Sequence, residues 1–478
     1  SSGSFNSCAL SYDGSTVCLQ NNNTYTVQFD KNVTINTVYD YFNLKSDLYF
    51  NYNYSIDYEN DIDTAGSWDI TEQPLTIEVN DTANNQARAY YGYWDSTSIS
   101  ADGRFVLVGA PMDNKVYLYD TQTNEVTHTF SGESNTFFGL RCAMDDFAKW
   151  VVIVSKDNIY FYERSVGGFT QKGSTTRHGY SSIFQFKMSK DGSTVLLTSF
   201  ITSTEIKKWY LGTDWTWTTV PSSTTLSNGK RVSAIDLSYN GDYIVAGQQT
   251  GGTTGDLTVF YPNGGKLYVT VNTGTSSEGL YMHSVAISSV PNASGEYTII
   301  TSKANAYTSP LNNAKFKIYK FNKTTNTLSS GISYSVYGLL IARYGRTAAM
   351  SYDGNFALLS GNNEQDEQDA NIRSKGGAVL INTSTGNKVI NLHYEPTTTF
   401  SGINELGFLE NRFNGFGSSC RISSDNRHIL VGGGGYAFKY SAMNAKSLYF
   451  PFTTNGTSSD SAFTFTGGGS YSSSNGLT

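Results

Sequence analysis

Three arginines are the residues best placed to bind a ligand, because each follows an aromatic–glycine pair within a few residues. These arginines are Arg141, Arg346 and Arg421. The planar guanidinium fork matches carboxylate and sulfate groups, so three of them converging would make a site for an acidic ligand. The alternative is that they pair with Asp145, Asp353 or Asp425 and only hold the fold together.

No other pattern in the sequence indicates catalysis. The chain has no Gly-x-Ser-x-Gly, His-Glu-x-x-His, Cys-x-x-Cys or phosphate-binding Gly-x-x-x-x-Gly-Lys-Ser/Thr motif. The five histidines are scattered without the spacing of metal ligands: His128, His178, His283, His393 and His428. We therefore expect no catalytic residue, no metal site and no cofactor.

The elements that would position the arginines are copies of one short pattern. It reads Ser-x-Asp-Gly followed by an apolar strand, as in Ser100-Ala101-Asp102-Gly103 before Phe105-Val106-Leu107-Val108. Asp-Gly and Asn-Gly provide the positive φ of a tight hairpin turn. The predicted turn positions are Gly103, Ala148, Gly192, Gly241, Gly295, Gly354 and Asn426. Repeats of roughly 40 to 50 residues with four strands each are typical of β-propeller blades.

The sequence predicts an all-β chain whose central part is a propeller of four-stranded blades. Seven successive repeat units follow one another from residue 91 onward, so we place the propeller at residues 91–450 and favour seven blades. Residues 5–38 resemble one further blade, which leaves eight as the alternative. Residues 1–90 are expected to form a β-rich arm, and residues 451–478, rich in Gly, Ser and Thr, a linker or flexible tail.

The repeat resembles the FG-GAP repeat, the blade unit of the integrin α-chain head and of many secreted propellers. The matching residues are Tyr91-Gly92, Phe138-Gly139, Tyr344-Gly345, Phe416-Gly417 and the motif Gly109-Ala110-Pro111. The resemblance implies a propeller used in extracellular recognition or assembly. The Asp-rich calcium loop of integrin-type blades is not recognisable here, so calcium dependence is not implied.

Sialidases also carry an arginine cluster on a propeller axis, and their Asp box is partly similar to Ser11-Tyr12-Asp13-Gly14-Ser15-Thr16-Val17. The tryptophan of that box is missing here. No Tyr/Glu nucleophile pair can be singled out. A sialidase-like glycosidase is therefore the least favoured alternative.

Composition and charge point to a secreted protein. Charged residues make up 15% of the chain, the net charge is -7 and the pI is near 5.3, which argues against nucleic acid or an anionic membrane as the partner. No apolar run is long enough to span a bilayer. Glycosylation sequons begin at Asn22, Asn32, Asn53, Asn80, Asn292, Asn322, Asn382 and Asn455. A chain that starts at Ser1 without a methionine is also what we expect of a processed product.

The four cysteines are too few for a disulfide scaffold. Cys8 and Cys18 flank the turn at Asp13-Gly14 symmetrically, which predicts that they face each other across a hairpin and can form a disulfide. Cys142 and Cys420 occupy the same position in different repeats. The alternative is that two to four of them are buried free thiols.

These observations predict a non-enzymatic, extracellular glycoprotein whose propeller is the building block of a fibre, coat or matrix. The expected partner is then another copy of the chain, joined through the β-rich arm by strand addition. The alternative is an adhesive propeller that binds an extracellular protein or glycan.

Overall fold

The computed structural model contains seven antiparallel sheets in one compact unit, residues Trp68–Ala442, and one further sheet in a second unit. The structure describes residues 7–10, 16–20, 24–28, 75–77, 96–165, 167–179, 183–199, 206–211, 217–219, 231–249, 254–262, 265–272, 281–303, 314–336, 347–361, 377–393, 416–433, 436–441 and 471–472. The seven sheets are the blades of a β-propeller, so the predicted all-β fold and the favoured blade number are confirmed.

The first three blades each consist of four strands that are consecutive in the chain. Blade I contains Thr97–Ile99, Phe105–Ala110, Lys115–Asp120 and Glu125–Ser131, with the short 3-10 helix Pro111–Asp113 after its second strand. Blade II contains Arg141–Met144, Trp150–Val154, Asn158–Ser165 and Gly168–Arg177. Blade III contains Ile183–Met188, Thr194–Ser199, Ile206–Leu211 and Trp217–Thr219.

The next three blades follow the same order, with one strand added in blade V. Blade IV contains Arg231–Leu237, Ile244–Gln249, Thr254–Phe260 and Lys266–Asn272. Blade V contains Tyr281–Ile287, Glu296–Lys303, Ala314–Asn322, Thr327–Leu328 and Ile332–Val336. Blade VI contains Thr347–Met350, Phe356–Gly361, Gly377–Asn382 and Lys388–His393.

Blade VII is completed by a strand from the other end of the propeller sequence. Its inner strands are Ser419–Ile422, His428–Gly433 and Tyr436–Ser441, and its outer strand is Leu75–Ile77. Phe438 pairs with Thr76 in this antiparallel contact. The predicted start of the propeller at residue 91 is therefore too late. The strand Leu75–Ile77 pairs with a strand that is distant in the sequence, and residues 75–77 contain no turn motif from which this pairing could be predicted.

The core is divided among the contacts between blades. Seven clusters of buried apolar side chains each combine residues of two neighbouring blades, including one between blades VII and I. The second strand of each blade is apolar on both faces because it is packed between two neighbours, as in Trp150–Val154 and His428–Gly433, which are buried throughout. These clusters close the ring.

The repeated Ser-x-Asp-Gly motif is a hydrogen-bonded turn. In blade I the hydroxyl of Ser100 donates to Asp102 (2.7 Å) and accepts from the Phe105 N–H (2.9 Å), while Asp102 also accepts from the Arg104 N–H (3.0 Å). The same bonds recur in the turns that begin at Ser189, Ser351 and Ser423. The serine and aspartate side chains thus form the hydrogen bonds of the turn, which is why both residues recur in the repeats.

All seven predicted turn positions have positive φ. The angles are 70° at Gly103, 50° at Ala148, 76° at Gly192, 73° at Gly241, 76° at Gly295, 77° at Gly354 and 57° at Asn426. The turns in blades II and VII thus use the left-handed conformation without glycine.

The aromatic–glycine element is a close contact between neighbouring blades. A Cβ on Gly417, at φ 88°, would lie 2.7 Å from the carbonyl oxygens of both Gly361 and Gly377 in blade VI. A Cβ on Gly139, at φ 90°, would lie 2.6 Å from the carbonyl oxygen of Lys115 in blade I. Glycine is required here both by the backbone angle and by the approach of the preceding blade.

The second compact unit comprises residues Ser1–Ser67 and Met443–Thr478. It holds one four-stranded sheet in the order Ser7–Leu10, Thr16–Gln20, Thr24–Gln28 and Tyr471–Ser472. The first three strands confirm the hairpin pattern predicted within residues 5–38. This sheet is not a member of the seven-sheet propeller unit, so the eight-blade alternative is wrong. The tail predicted to be a linker contains a strand, because its main chain finds a partner far away in the sequence.

The register of this sheet differs from the one that the cysteine prediction needs. Cys8 pairs with Leu19, and Cys18 pairs with Ala9. In this register the two cysteines are one position away from direct opposition. The expectation that they face each other across the hairpin is wrong.

Candidate functional site at the axis of the ring

The seven turns between first and second strands are joined to one another by hydrogen bonds, and we call this set the turn ring. Each bond runs from one blade to the next, with donor–acceptor distances from 2.7 to 3.2 Å. The N–H donors and their acceptors are Asp425 to Ala101 O, Ala101 to Asp146 O, Asp146 to Lys190 O, Asp191 to Tyr239 O, Tyr239 to Ser289 O, Ser289 to Tyr352 O, and Tyr352 to Asn426 Oδ1. The last link uses a side chain, and with it the circle is complete.

Inside the turn ring, polar side chains from blades that are not neighbours meet. The Ser424 hydroxyl in blade VII donates to Oδ1 of Asp146 in blade II at 2.9 Å, across blade I. The Lys190 ammonium lies 3.6 Å from the same oxygen. Asp146 is buried, and its other oxygen, Oδ2, accepts no hydrogen bond from the described residues. Burial raises the pKa of Asp146, and the positive charge of Lys190 opposes this rise.

Two tyrosines cover the other side of the turn ring. The rings of Tyr239 in blade IV and Tyr352 in blade VI meet edge to face, with centroids 5.7 Å apart across blade V. Burial is the main cause that raises the pKa of both phenols, to about 12 for Tyr352, and the negative charge of Asp146 adds to it. The tyrosines and the Asp146 group therefore fill one shared polar centre.

A second layer of charge lies deeper along the axis, on the first strands two residues before each turn motif. Lys187 in blade III, Asp236 in blade IV and Arg421 in blade VII stand at this level. Oδ2 of Asp236 accepts the Ile287 N–H at 2.9 Å. Burial raises the pKa of the Asp236 carboxyl, and the positive charges of Lys187 and then Arg421 oppose it. The three charged residues thus stand at one level on the first strands of blades III, IV and VII.

The structure places two of the three predicted arginines, Arg141 and Arg421, at different levels of their strands. Arg141 is the first residue of its strand and Arg421 the third of its own, which puts their backbones two positions, roughly 7 Å, apart along the axis. Each Nη1 donates to the carbonyl of the preceding residue, Leu140 at 2.8 Å and Cys420 at 2.7 Å. Arg346 lies outside the described residues. Arg141 and Arg421 lie at different levels because Arg141 follows its aromatic–glycine pair by two residues, whereas Arg421 follows its own pair by four.

The acids proposed as structural partners of the arginines have other roles. Asp145 accepts the Trp150 N–H at 2.7 Å, and Asp353 and Asp425 bind the serine and main-chain N–H of their own turns. Sequence analysis missed Asp236, the acid that interacts with Arg421. Aligning the repeats on the serine of the turn would have put Lys187, Asp236 and Arg421 at one level.

The contact between blades VII and I holds a buried histidine. The imidazole of His428 lies against Gly103, its Nδ1 is 2.8 Å from the Ser441 hydroxyl, and its Nε2 is 3.6 Å from Asp425. Burial lowers the pKa of His428 well below 6.5, and it raises that of Asp425 to about 6. The pair therefore favours the neutral imidazole and makes this contact sensitive to pH.

Cys142 and Cys420 are both buried, and no disulfide joins them. The Cys142 thiol lies 3.1 Å from the Ser96 carbonyl oxygen, and that of Cys420 lies 3.7 Å from the Leu358 carbonyl oxygen. Both thiols thus point at the preceding blade from the same strand position.

Three predicted glycosylation sites fall on described turns. Asn292 is exposed, and Asn322 and Asn382 are partly exposed at the ends of third strands. The other five, at Asn22, Asn32, Asn53, Asn80 and Asn455, lie outside the described residues. Their glycosylation stays a prediction.

The described ranges contain neither a group of metal ligands nor a membrane-spanning helix. In them no three His, Cys, Asp or Glu side chains are grouped so that they could hold a metal ion. The same ranges contain no helix that is both long and apolar enough to cross a membrane.

Comparisons with known proteins give similar solved structures at low sequence identity. No family model matches the chain, and no curated protein matches it. The β-propeller domain of Cps50 (Swd1) from Myceliophteria thermophila is 11% identical, covering 72% of this chain and 96% of that one, with a TM-score of 0.46. Hydrazine synthase from Kuenenia stuttgartiensis is 11% identical over 76% and 99%, with a TM-score of 0.47.

A third similar structure is Raptor from Chaetomium thermophilum, 12% identical over 77% of this chain and 30% of that one, with a TM-score of 0.46. Identities and scores at this level carry no argument about activity or partners. The chain is a seven-bladed β-propeller, and the FG-GAP similarity stays a resemblance.

Proposed function

We propose that the protein is a non-enzymatic structural subunit of an extracellular fibre, coat or matrix, and that it assembles with copies of itself. The observation that carries the proposal is that the seven blades close the ring without residues 1–67 and 443–478. Leu75–Ile77 supplies the last strand of blade VII. The separate four-stranded sheet is thus not needed to complete the propeller, and we assign it to contacts between copies of the chain.

The axis of the ring supports a structural role rather than turnover. Its ionisable side chains are engaged with one another, as in the contacts of Asp146 with Ser424 and Lys190. The turn ring ties each blade to the next, which suits a rigid building block. The low content of charged residues and the sequons favour the outside of the cell.

Electron microscopy of the purified full chain, beside a variant lacking residues 1–67, tests the proposal. This deletion spares Leu75–Ile77, so the ring keeps its closing strand. We expect filaments or sheets of the full chain, and isolated rings for the variant, whose circular dichroism should still be that of a folded β-sheet protein. A full chain that stays monomeric in sedimentation velocity at high concentration would contradict self-assembly. That result would favour the alternative, a propeller that binds an extracellular protein or glycan.

A further inference from the structure

One position of the second strand packs against the turn glycine of the next blade. The residue at this position donates its N–H to the side chain of the first turn residue, as Phe105 does to the Ser100 hydroxyl at 2.9 Å. In three blades its side chain lies within 3.1 Å of the point where a Cβ on the next turn glycine would stand. The pairs are Trp150 with Gly192, Thr194 with Gly241 and Thr298 with Gly354. Neither tryptophan nor threonine changes its charge between pH 5 and 8.

At the contact between blades VII and I, which closes the ring, this position is a histidine. The N–H of His428 donates to the Ser423 hydroxyl at 2.9 Å, and its imidazole lies against Gly103 of blade I. His428 is 8% exposed, so a charge on its ring would be held away from water. Of these four contacts, the one that closes the ring is therefore the one that can acquire a buried positive charge in acid.

The ionisable groups around this contact come from both blades. They are Asp425, Arg427 and Lys439 in blade VII and Asp102, Arg104 and Asp120 in blade I, whereas the closing strand Leu75–Ile77 has none. Arg427 and Lys439 repel an imidazolium, and Asp120 is paired with Arg104 at 3.0 Å. Asp425 is the nearest acid, with Oδ2 3.6 Å from Nε2, but burial raises the pKa of Asp425 to about 6. This acid thus loses its charge over the same range of pH in which the histidine would gain one.

We propose that protonation of His428 opens the contact between blades VII and I in acid and frees the closing strand Leu75–Ile77. Nδ1 of His428 lies 2.8 Å from the hydroxyl of Ser441, the last residue of the strand that pairs with the closing strand. Leu430, on the histidine's own strand, shares an apolar cluster with Ile77. A displaced imidazole therefore disturbs both contacts of the closing strand. The inference goes beyond the proposed function, because it concerns a single chain.

Hydrogen exchange of the full-length chain at pH 8 and pH 5 tests the inference. The rates are corrected for the pH dependence of the chemical exchange step, so that they report how often each strand opens. In the open contact the imidazole has its ordinary pKa of about 6.5, so its protonation favours opening by up to about 30-fold between the two pH values. We expect Leu75–Ile77 and Tyr436–Ser441 to lose protection in acid. Ile244–Gln249 of blade IV, next to the contact of Thr194 with Gly241, should keep its protection.

Two full-length variants isolate the effect of the histidine. His428→Thr and His428→Phe introduce the residues that blades III and I have at the same position, Thr194 and Phe105. Asp425 binds a proton in the closed contact and so opposes opening in acid, but it does so in all three chains. The ratio of opening in the natural chain to opening in either variant should therefore rise by up to about 30-fold from pH 8 to pH 5. Threonine is smaller than histidine, so this variant keeps the test valid if phenylalanine prevents folding.

Two results would overturn the inference. One is an equal loss of protection at the closing strand in the natural chain and in the threonine variant. The other is a loss in the natural chain that is as large at Ile244–Gln249 as at Leu75–Ile77, since acid would then loosen the blades without regard to His428. Both results are read within one chain, so neither bears on self-assembly.

Discussion

Replacing Gly417 by alanine should destabilise the propeller by far more than the backbone angle alone accounts for. The residue has φ 88°, and its missing Cβ would be 2.7 Å from two carbonyl oxygens of blade VI, at Gly361 and Gly377. Main-chain oxygens cannot rotate away as a flexible side chain can. The alanine must therefore push blades VI and VII apart at their closest approach.

The magnitude follows from two contributions. A left-handed alanine costs about 1–2 kcal/mol relative to glycine. Forcing a methyl group into a packed contact adds about 1–3 kcal/mol. Gly173→Ala is the matched control, because Gly173 has φ 69° but its Cβ would meet nothing within 4 Å. We expect it to show only the first contribution.

Urea unfolding of both variants, followed by circular dichroism, measures the two free energies of unfolding. The difference between Gly417→Ala and Gly173→Ala isolates the approach of the neighbouring blade. Equal losses for the two variants would refute the argument, since the close contact would then have no energetic consequence. A changed slope with urea would show instead that blades unfold separately.

Two further measurements test the polar contacts of the turns. Burial raises the pKa of Asp145 to about 7 and of Asp425 to about 6 from 3.8, so the folded state binds extra protons and thermal stability should rise as the pH falls from 8 to ~6. Burial lowers the pKa of His428, so below pH ~6.5 the protonation of this histidine in the unfolded chain opposes the gain in stability. A steady fall in melting temperature from pH 8 to 6 would contradict the raised pKa values of the two aspartates. Asn426→Ala should cost about 1–3 kcal/mol in urea unfolding, because the Tyr352 N–H loses its acceptor at 2.7 Å. Unchanged stability would show that this link of the turn ring is dispensable.

The turns could be predicted from the sequence because their chemistry is local. Serine, aspartate and a residue with positive φ determine a hairpin within about five positions, and even Ala148 and Asn426 were placed correctly by their position in the repeat. The closing strand Leu75–Ile77 could not be predicted. It has three residues, no turn motif of its own, and a partner at Tyr436–Ser441. Such distant segments pair because the ring closes, and the local sequence of either segment does not indicate this pairing.

The charged residues at this level of the first strands were only partly predictable for a related reason. The arginine pattern pointed to Arg421, but it did not include Asp236 and Lys187, which belong to other blades. Their common level appears only when the copies are aligned on the turn serine, because blades III and IV have no aromatic–glycine pair. The register of its strand determines how close a residue lies to the axis. A search for one residue type, such as arginine, therefore does not find all the charged residues there.

The repeated residues and the residues that vary at the same positions have different meanings. Gly109 and Gly139, from the two halves of the motif, meet at one blade contact, where a Cβ on Gly109 would be 2.3 Å from the Gly139 carbonyl oxygen. The motif that suggested a family is therefore a packing device, and it would serve any propeller whatever it binds. Departures from the repeat, such as Asp146 and Asp236 at the axis, are not part of the bonds that every turn repeats. Specific properties of this protein should be sought at those positions and in the sheet outside the ring.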